Sequence, residues 1–232
     1  MPVHQFNISA VAFDLDGTLV NTLPDLSYAA NKMLVQVGFD PVSEFEFPSY
    51  IGHGAEGLIQ GLLEKSSKSS RVDKSLVEEA NTIFKKEYRS CATRLSDVYH
   101  DVFETLDVLK SNRVKLFCVT NKPNEYTKAI LTGLDLDKYF DVVLAGDTLE
   151  RKKPDPLPLN HLCREFKLGV ESLLMVGDSI VDVEAARRAG CPVFCVSYGY
   201  HGSIAIDSLG ADAIIDSVRD IFPLIKIEQY TS

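Results

Sequence analysis

The sequence predicts an α/β protein, a doubly wound parallel sheet with an inserted helical cap domain. Three observations predict it. Short apolar runs alternate with stretches long enough to cross between parallel strands. Two of those runs end abruptly in acidic residues, at Asp14 and Asp178. One long interval, residues 22–95, shows helical spacing and no convincing strand.

The strand candidates are residues 8–13, 115–119, 141–145, 173–176, 193–196 and 213–215. They are nearly continuous in apolar residues, as strands covered on both faces must be. Helix candidates lie between and after them, at residues 102–110, 124–134, 157–166, 180–189 and 218–225. Within the insert, Leu26, Ala30, Met33, Leu34 and Val37 recur at helical spacing, and Gly38 follows as a C-terminal cap. Ser43 and Glu46 have capping-box spacing. Leu58, Leu62 and Leu63 mark a second helix, and Asp73 caps a third that carries Leu76, Val77, Ala80, Ile83 and Phe84. The serine-rich stretch 66–70 reads as a flexible loop. The expected division is a core of residues 1–21 and 96–232 with a cap of residues 22–95. The cap lies over the C-terminal edge of the sheet, where open α/β folds bind ligands.

Composition narrows the partners. The 232 residues carry a formal charge of −9 and a pI near 5.1. That argues against nucleic acid, whose phosphate backbone requires a clustered basic surface. No apolar run is long enough to span a bilayer, and no apolar stretch follows a basic N-terminus. The five cysteines, Cys91, Cys118, Cys163, Cys191 and Cys195, include no CxxC pair and read as free, reduced thiols. The expectation is a cytoplasmic monomer or homodimer without a membrane partner.

Four strand ends carry the chemistry. In Phe13-Asp14-Leu15-Asp16-Gly17-Thr18-Leu19 an apolar strand runs into two carboxylates and a glycine. Two anions this close resist ionisation unless a cation neutralises them. A hard cation such as Mg²⁺ suits oxygen ligands and leaves room for a phosphate. Gly17 allows the sharp turn. In Phe117-Cys118-Val119-Thr120-Asn121-Lys122-Pro123 a hydroxyl stands at a strand end before a helix, where an anion is favoured. Arg151-Lys152-Lys153-Pro154-Asp155-Pro156 sets a lysine beside a rigid turn, able to meet a phosphate as a point charge. In Val176-Gly177-Asp178-Ser179-Ile180-Val181-Asp182 a strand ends in an acid that can complete a metal site. Asp182 either supports that site, bonds to the lysine, or complements the next helix dipole.

In this combination the chain resembles the haloacid dehalogenase superfamily, in its phosphatase branch. Asp14-Leu15-Asp16-Gly17-Thr18 matches that family's first motif, Thr120 the second, Lys153 the third, and Asp178 with Asp182 the fourth. The resemblance implies a sheet of order 5-4-1-2-3 with the four motif loops meeting at its C-terminal edge. It implies a metal site of Asp14, Asp16 (through its backbone carbonyl) and Asp178, and a small phosphorylated metabolite as substrate. Asp14 is then the nucleophile and Asp16 the acid and base. Thr120, Asn121 and Lys153 take the phosphate, with Gly17 and Asp182 in support.

Tyr50-Ile51-Gly52-His53-Gly54-Ala55 and Ser197-Tyr198-Gly199-Tyr200 are similar to segments of bacterial phosphoglycolate phosphatases, which points to 2-phosphoglycolate as substrate and to Gly52, His53 and Gly54 as specificity residues. His53 stands where Asn is usual, Asn21-Thr22 where Asp-Ser is common, and Tyr99-His100-Asp101-Val102 where Tyr-Pro-Gly-Val is usual. Another small-metabolite phosphatase, or a phosphomutase, shares the same residues. A dehalogenase has no need of Asp16 as an acid, and a signalling receiver places its acceptor after a later strand.

Overall fold

The structure is a computed structural model and describes residues 5–51, 54–68, 71–202 and 204–228. Six parallel strands form the central sheet: β1 (Ala10–Phe13), β2 (Lys115–Val119), β3 (Val142–Leu144), β4 (Leu173–Gly177), β5 (Val193–Val196) and β6 (Ala213–Ile215). Their spatial order is β3-β2-β1-β4-β5-β6. The expected five-strand order is present, extended by β6 on the outer side of β5. Residues 8–13 do not form one strand. Phe6–Ile8 instead pairs in parallel with Ile225–Ile227, beside the main sheet.

Alternation along each strand builds two apolar layers. Val11, Phe13, Leu116, Cys118, Leu174 and Val176 face one side, against helices α4 (Val102–Ser111) and α5 (Asn124–Gly133). Ala10, Ala12, Phe117, Val119, Leu173 and Met175 face the other, against α6 (Leu157–Glu165) and α7 (Ile180–Ala189). Residues 218–225 are not an α-helix. Val218–Leu224 is 3-10, with Pro223 inside it. A proline there has no N–H to donate and its ring crowds the preceding turn.

The chain leaves the sheet and returns to it through a short antiparallel ladder, Val20 opposite Val98 and Asn21 opposite Asp97. Between these points lie α1 (Leu23–Gln36), a 3-10 segment (Glu44–Tyr50), α2 (Gly54–Ser67) and α3 (Lys74–Arg89). They share an apolar cluster, including Met33, Leu34, Phe47, Leu62, Leu63, Phe84 and Tyr88, which also takes in Tyr126 of α5. Gly38 closes α1 at φ +87°, and Phe39 N–H returns to the Leu34 carbonyl. Asp73 caps α3 by accepting from the Ser75 N–H. The expected Ser43–Glu46 capping box does not form. Glu46 pairs with Lys65 instead. The serine-rich stretch is helical through Ser67, and residues 69 and 70 lie outside those described. No helix among the described residues is long and apolar enough to cross a membrane. All five cysteines are buried and unbridged.

Candidate active site

Strand register assembles the site. Phe13 on β1 stands opposite Cys118 on β2 and Val176 on β4. One or two residues further, all three strands have ended, and Asp14, Thr120 and Asp178 emerge side by side at the C-terminal edge. Asp14 N–H still bonds to the Val176 carbonyl at 2.9 Å, and Thr120 N–H to the Leu144 carbonyl at 2.9 Å. The loop after β3 adds Lys153, and α7 adds Asp182.

Asp14 Oδ1 accepts from the Leu15 N–H at 2.7 Å and lies 2.9 Å from Lys153 Nζ. The same ammonium lies 2.6 Å from Asp182 Oδ1. Asp182 Oδ2 accepts from the backbone of Asp178 and Ser179 and from the Ser179 hydroxyl at 2.7 Å. Asp182 therefore both binds the lysine and forms a capping box with Ser179 at the start of α7. Both Asp182 oxygens are engaged in this way, Oδ1 by the lysine and Oδ2 by the start of α7.

Asp14, Asp178 and Asp182 bring carboxylate oxygens within 4.8 Å of one another, all buried. Burial pushes the Asp14 carboxyl up to about 7; Lys153 opposes this, and the charges of Asp182 and Asp16 add to it. Burial, then Asp182 and Asp14, raise Asp178 well above the usual carboxylate range. A hard cation would relieve this crowding of negative charge, so the donor set fits Mg²⁺. Burial alone would lower the Lys153 pKa, but Asp14 and Asp182 outweigh it and hold the ammonium above the usual lysine range.

Asp16 points elsewhere. Its carboxylate accepts from Lys122 Nζ at 2.9 and 3.1 Å and from the Thr22 hydroxyl, apart from the Asp14, Asp178 and Asp182 group. Gly17 has φ +82°, and a Cβ there would fall 2.3 Å from Asp178 Oδ2. The Asp178 carboxylate also accepts from the Tyr200 N–H, while Tyr200 Oη donates to Asn21 at 2.7 Å and accepts from the Leu23 N–H. Asn121 Nδ2 donates to the Lys153 carbonyl at 2.8 Å, so its amide ties two of the motif loops together.

A pocket opens over this edge. Its floor includes Asp14, Asp16, Thr120, Asn121, Lys153 and Asp178. Leu26, Ile51, Leu58, Phe84 and Tyr88 come from the helical segment. Gly54 also lines it, whereas Gly52 and His53 lie outside the described residues.

Sequence reasoning passed over Lys122, Asp25 and Tyr88. Lys122 is 6% exposed and neutralises Asp16. Asp25 is wholly buried where the helical segment returns to the core. The one available signal was Lys122 two residues after Thr120, within a run already singled out. Nothing in the order of residues shows that Tyr88 packs over it.

The chain is similar to known proteins over most of its length. A phosphoglycolate phosphatase of Thiobacillus denitrificans is 39% identical over 92% of this chain and 93% of its own. One of Nitrosospira multiformis is 40% identical over 94% and 96%. The crystal structure of a predicted phosphoglycolate phosphatase from Haemophilus somnus superposes with a TM-score of 0.87 at 36% identity, covering 93% of this chain and 96% of that one. The model of the family described as haloacid dehalogenase-like hydrolase matches residues 11–196, the span that holds all four strand-end motifs, and the chain belongs to that family.

Proposed function

We propose that the protein is a Mg²⁺-dependent phosphomonoesterase that hydrolyses 2-phosphoglycolate to glycolate and phosphate through a phospho-aspartate on Asp14. The observation that carries this reading is the pair Asp14 and Asp16 at the end of the central strand, each matched by its own buried lysine, Lys153 and Lys122. The names of the relatives supply the substrate.

In this reading Asp14, the Asp16 carbonyl and Asp178 would hold Mg²⁺, which would neutralise charge on the phosphate. An Asp14 oxygen attacks phosphorus, and the bond to the ester oxygen breaks. Asp16, entering this step protonated, gives its proton to the departing alkoxide. It then takes a proton from water, whose oxygen attacks the phospho-aspartate and frees Asp14. Proton transfer of this kind is typically worth roughly 10²–10⁴-fold. Thr120 and Lys153 stabilise the charge on the phosphoryl oxygens. Asn121 holds the Lys153 loop, and Gly17 and Asp182 keep Asp178 and Lys153 in place. Residues 22–95 act as a cap over a core of 1–21 and 96–232, closing to exclude water. Gly54, with its neighbours Gly52 and His53, contributes to substrate choice from the cap. The setting is the cytoplasm, where free thiols such as these five persist.

The test is steady-state phosphate release from 2-phosphoglycolate, glucose 6-phosphate, pyridoxal phosphate and AMP in matched Mg²⁺. 2-Phosphoglycolate should give the highest kcat/KM, and Asp14→Asn should abolish turnover. Preference for another ester overturns the substrate. Full activity in Asp14→Asn, or in excess chelator, overturns the mechanism.

A further inference from the structure

Among the described residues lining the pocket, only Lys122 and Lys153 carry positive charge. Lys153 is committed to the floor, between Asp14 and Asp182. Lys122 stands towards the helical segment. Its side chain is 4% exposed, and its ammonium lies 4.9 Å from the centre of the Tyr88 ring on α3. An ammonium has three N–H donors, and the two Asp16 oxygens take two of them. Tyr88 is 1% exposed, and among the described residues its buried hydroxyl has no well-aligned hydrogen-bond partner, the Lys122 ammonium being its strongest charged neighbour. Such an orphan costs stability unless something satisfies it. The neighbouring pocket walls, Leu26, Leu58 and Phe84, are apolar.

We propose that Lys122 and Tyr88 form an anion subsite that receives a carboxylate on the organic part of the substrate, selecting phosphomonoesters with a carboxylate close to the ester oxygen. This rests on the phosphomonoesterase reading above and gives its substrate preference a physical origin. The phosphate lies at Asp14 and Lys153, and Asp16, two residues along, links that point to Lys122. Both lysines line the same pocket, so the organic part that bridges them lies within it. A carboxylate there shares the Lys122 ammonium with Asp16 and accepts from the phenol hydroxyl, and apolar walls strengthen both contacts. An alkyl group in its place offers neither group an acceptor, the form of discrimination that polar pockets achieve best.

The experiment compares 2-phosphoglycolate with ethyl phosphate, in which a methyl stands for the carboxylate. Lys122→Met should lower kcat/KM for 2-phosphoglycolate roughly 10- to 100-fold more than for ethyl phosphate, mostly through KM, and Lys122→Arg should recover part of the difference. Tyr88→Phe should reduce the same ratio by about threefold to tenfold. In parallel, calorimetry in Mg²⁺ compares 3-phosphonopropionate with propylphosphonate. Wild type should favour the first, and Lys122→Met should lose that preference. Equal losses on both esters mean that Lys122 only positions Asp16, which overturns the subsite. So does an unchanged ratio, or a wild type that binds the two phosphonates equally. Failure to turn over any ester defeats the phosphatase reading instead, and the calorimetry still reads the subsite.

Discussion

The carboxylate of Asp25, near the start of α1, accepts from both the backbone N–H and the hydroxyl of Ser96, at 2.8 and 2.7 Å. It also accepts from the Leu95 N–H at 3.0 Å. Seventy residues apart in sequence, these groups fasten the departure of the helical segment to its return. Asp25→Ala strands several buried donors at once. It should lower stability by about 2–4 kcal/mol, read as a drop in urea midpoint at unchanged slope. A loss below about 0.5 kcal/mol, the scale of a surface substitution, would show that the fastening is unimportant.

Lys153→Ala removes the cation between Asp14 and Asp182. The loss of one charge-stabilising donor should reduce kcat/KM by roughly 10²–10³. The two carboxylates left behind should also destabilise the fold by about 3–5 kcal/mol. Kinetics and denaturation on the same preparation check both. Stability preserved together with a few-fold kinetic change would mean that the ion pairs are dispensable.

The Asp14 carboxyl, raised by burial from 3.8 to about 7, sets a pH dependence in the absence of metal. Between those values the folded state binds more protons than the unfolded state. Its contribution to stability is therefore fully present below about pH 4 and is lost as pH rises through about 7. Asp178, shifted in the same direction, adds to the trend. In chelator, Tm should fall from pH 5 to pH 8. Mg²⁺ should raise Tm more at pH 8 than at pH 5, because the cation competes with the proton. A Mg²⁺ effect independent of pH would count against Asp14 and Asp178 as its ligands.

Gly17→Ala places a methyl against Asp178, while Gly38→Ala, at a similar positive φ, meets nothing within 4 Å among the described residues. Both should lose about 1–3 kcal/mol to backbone strain. Only Gly17→Ala should also raise the Mg²⁺ concentration for half-maximal activity, by about tenfold or more. Parallel Mg²⁺ titrations of the two variants separate local strain from damage to the site.

Asp101 shows how far one position can be read. It stands where the resemblance leads one to expect glycine, and it adopts φ +64°. An aspartate tolerates that left-handed geometry, and Ser217 Oγ donates to its carboxylate at 2.9 Å. The sequence indicates the departure, and the fold supplies the partner, more than a hundred residues away, that accommodates it.

The strands, most helices and four motif loops were legible because periodicity and strand-end chemistry are local properties. A buried apolar run closed by Asp14 or Asp178 announces a sheet edge, and parallel pairing brings such edges together. The misreadings were also local. Residues 218–225 kept helical spacing while Pro223 turned them to 3-10, and Glu46 preferred Lys65 to its own helix end. Which cation meets which acid was not legible. Lys122 to Asp16 and Lys153 to Asp14 are separations of 106 and 139 residues in chain order, and Tyr88 reaches Lys122 only through the packing of α3. Pairing energies in a buried site depend on distance and desolvation, and only the tertiary structure sets either.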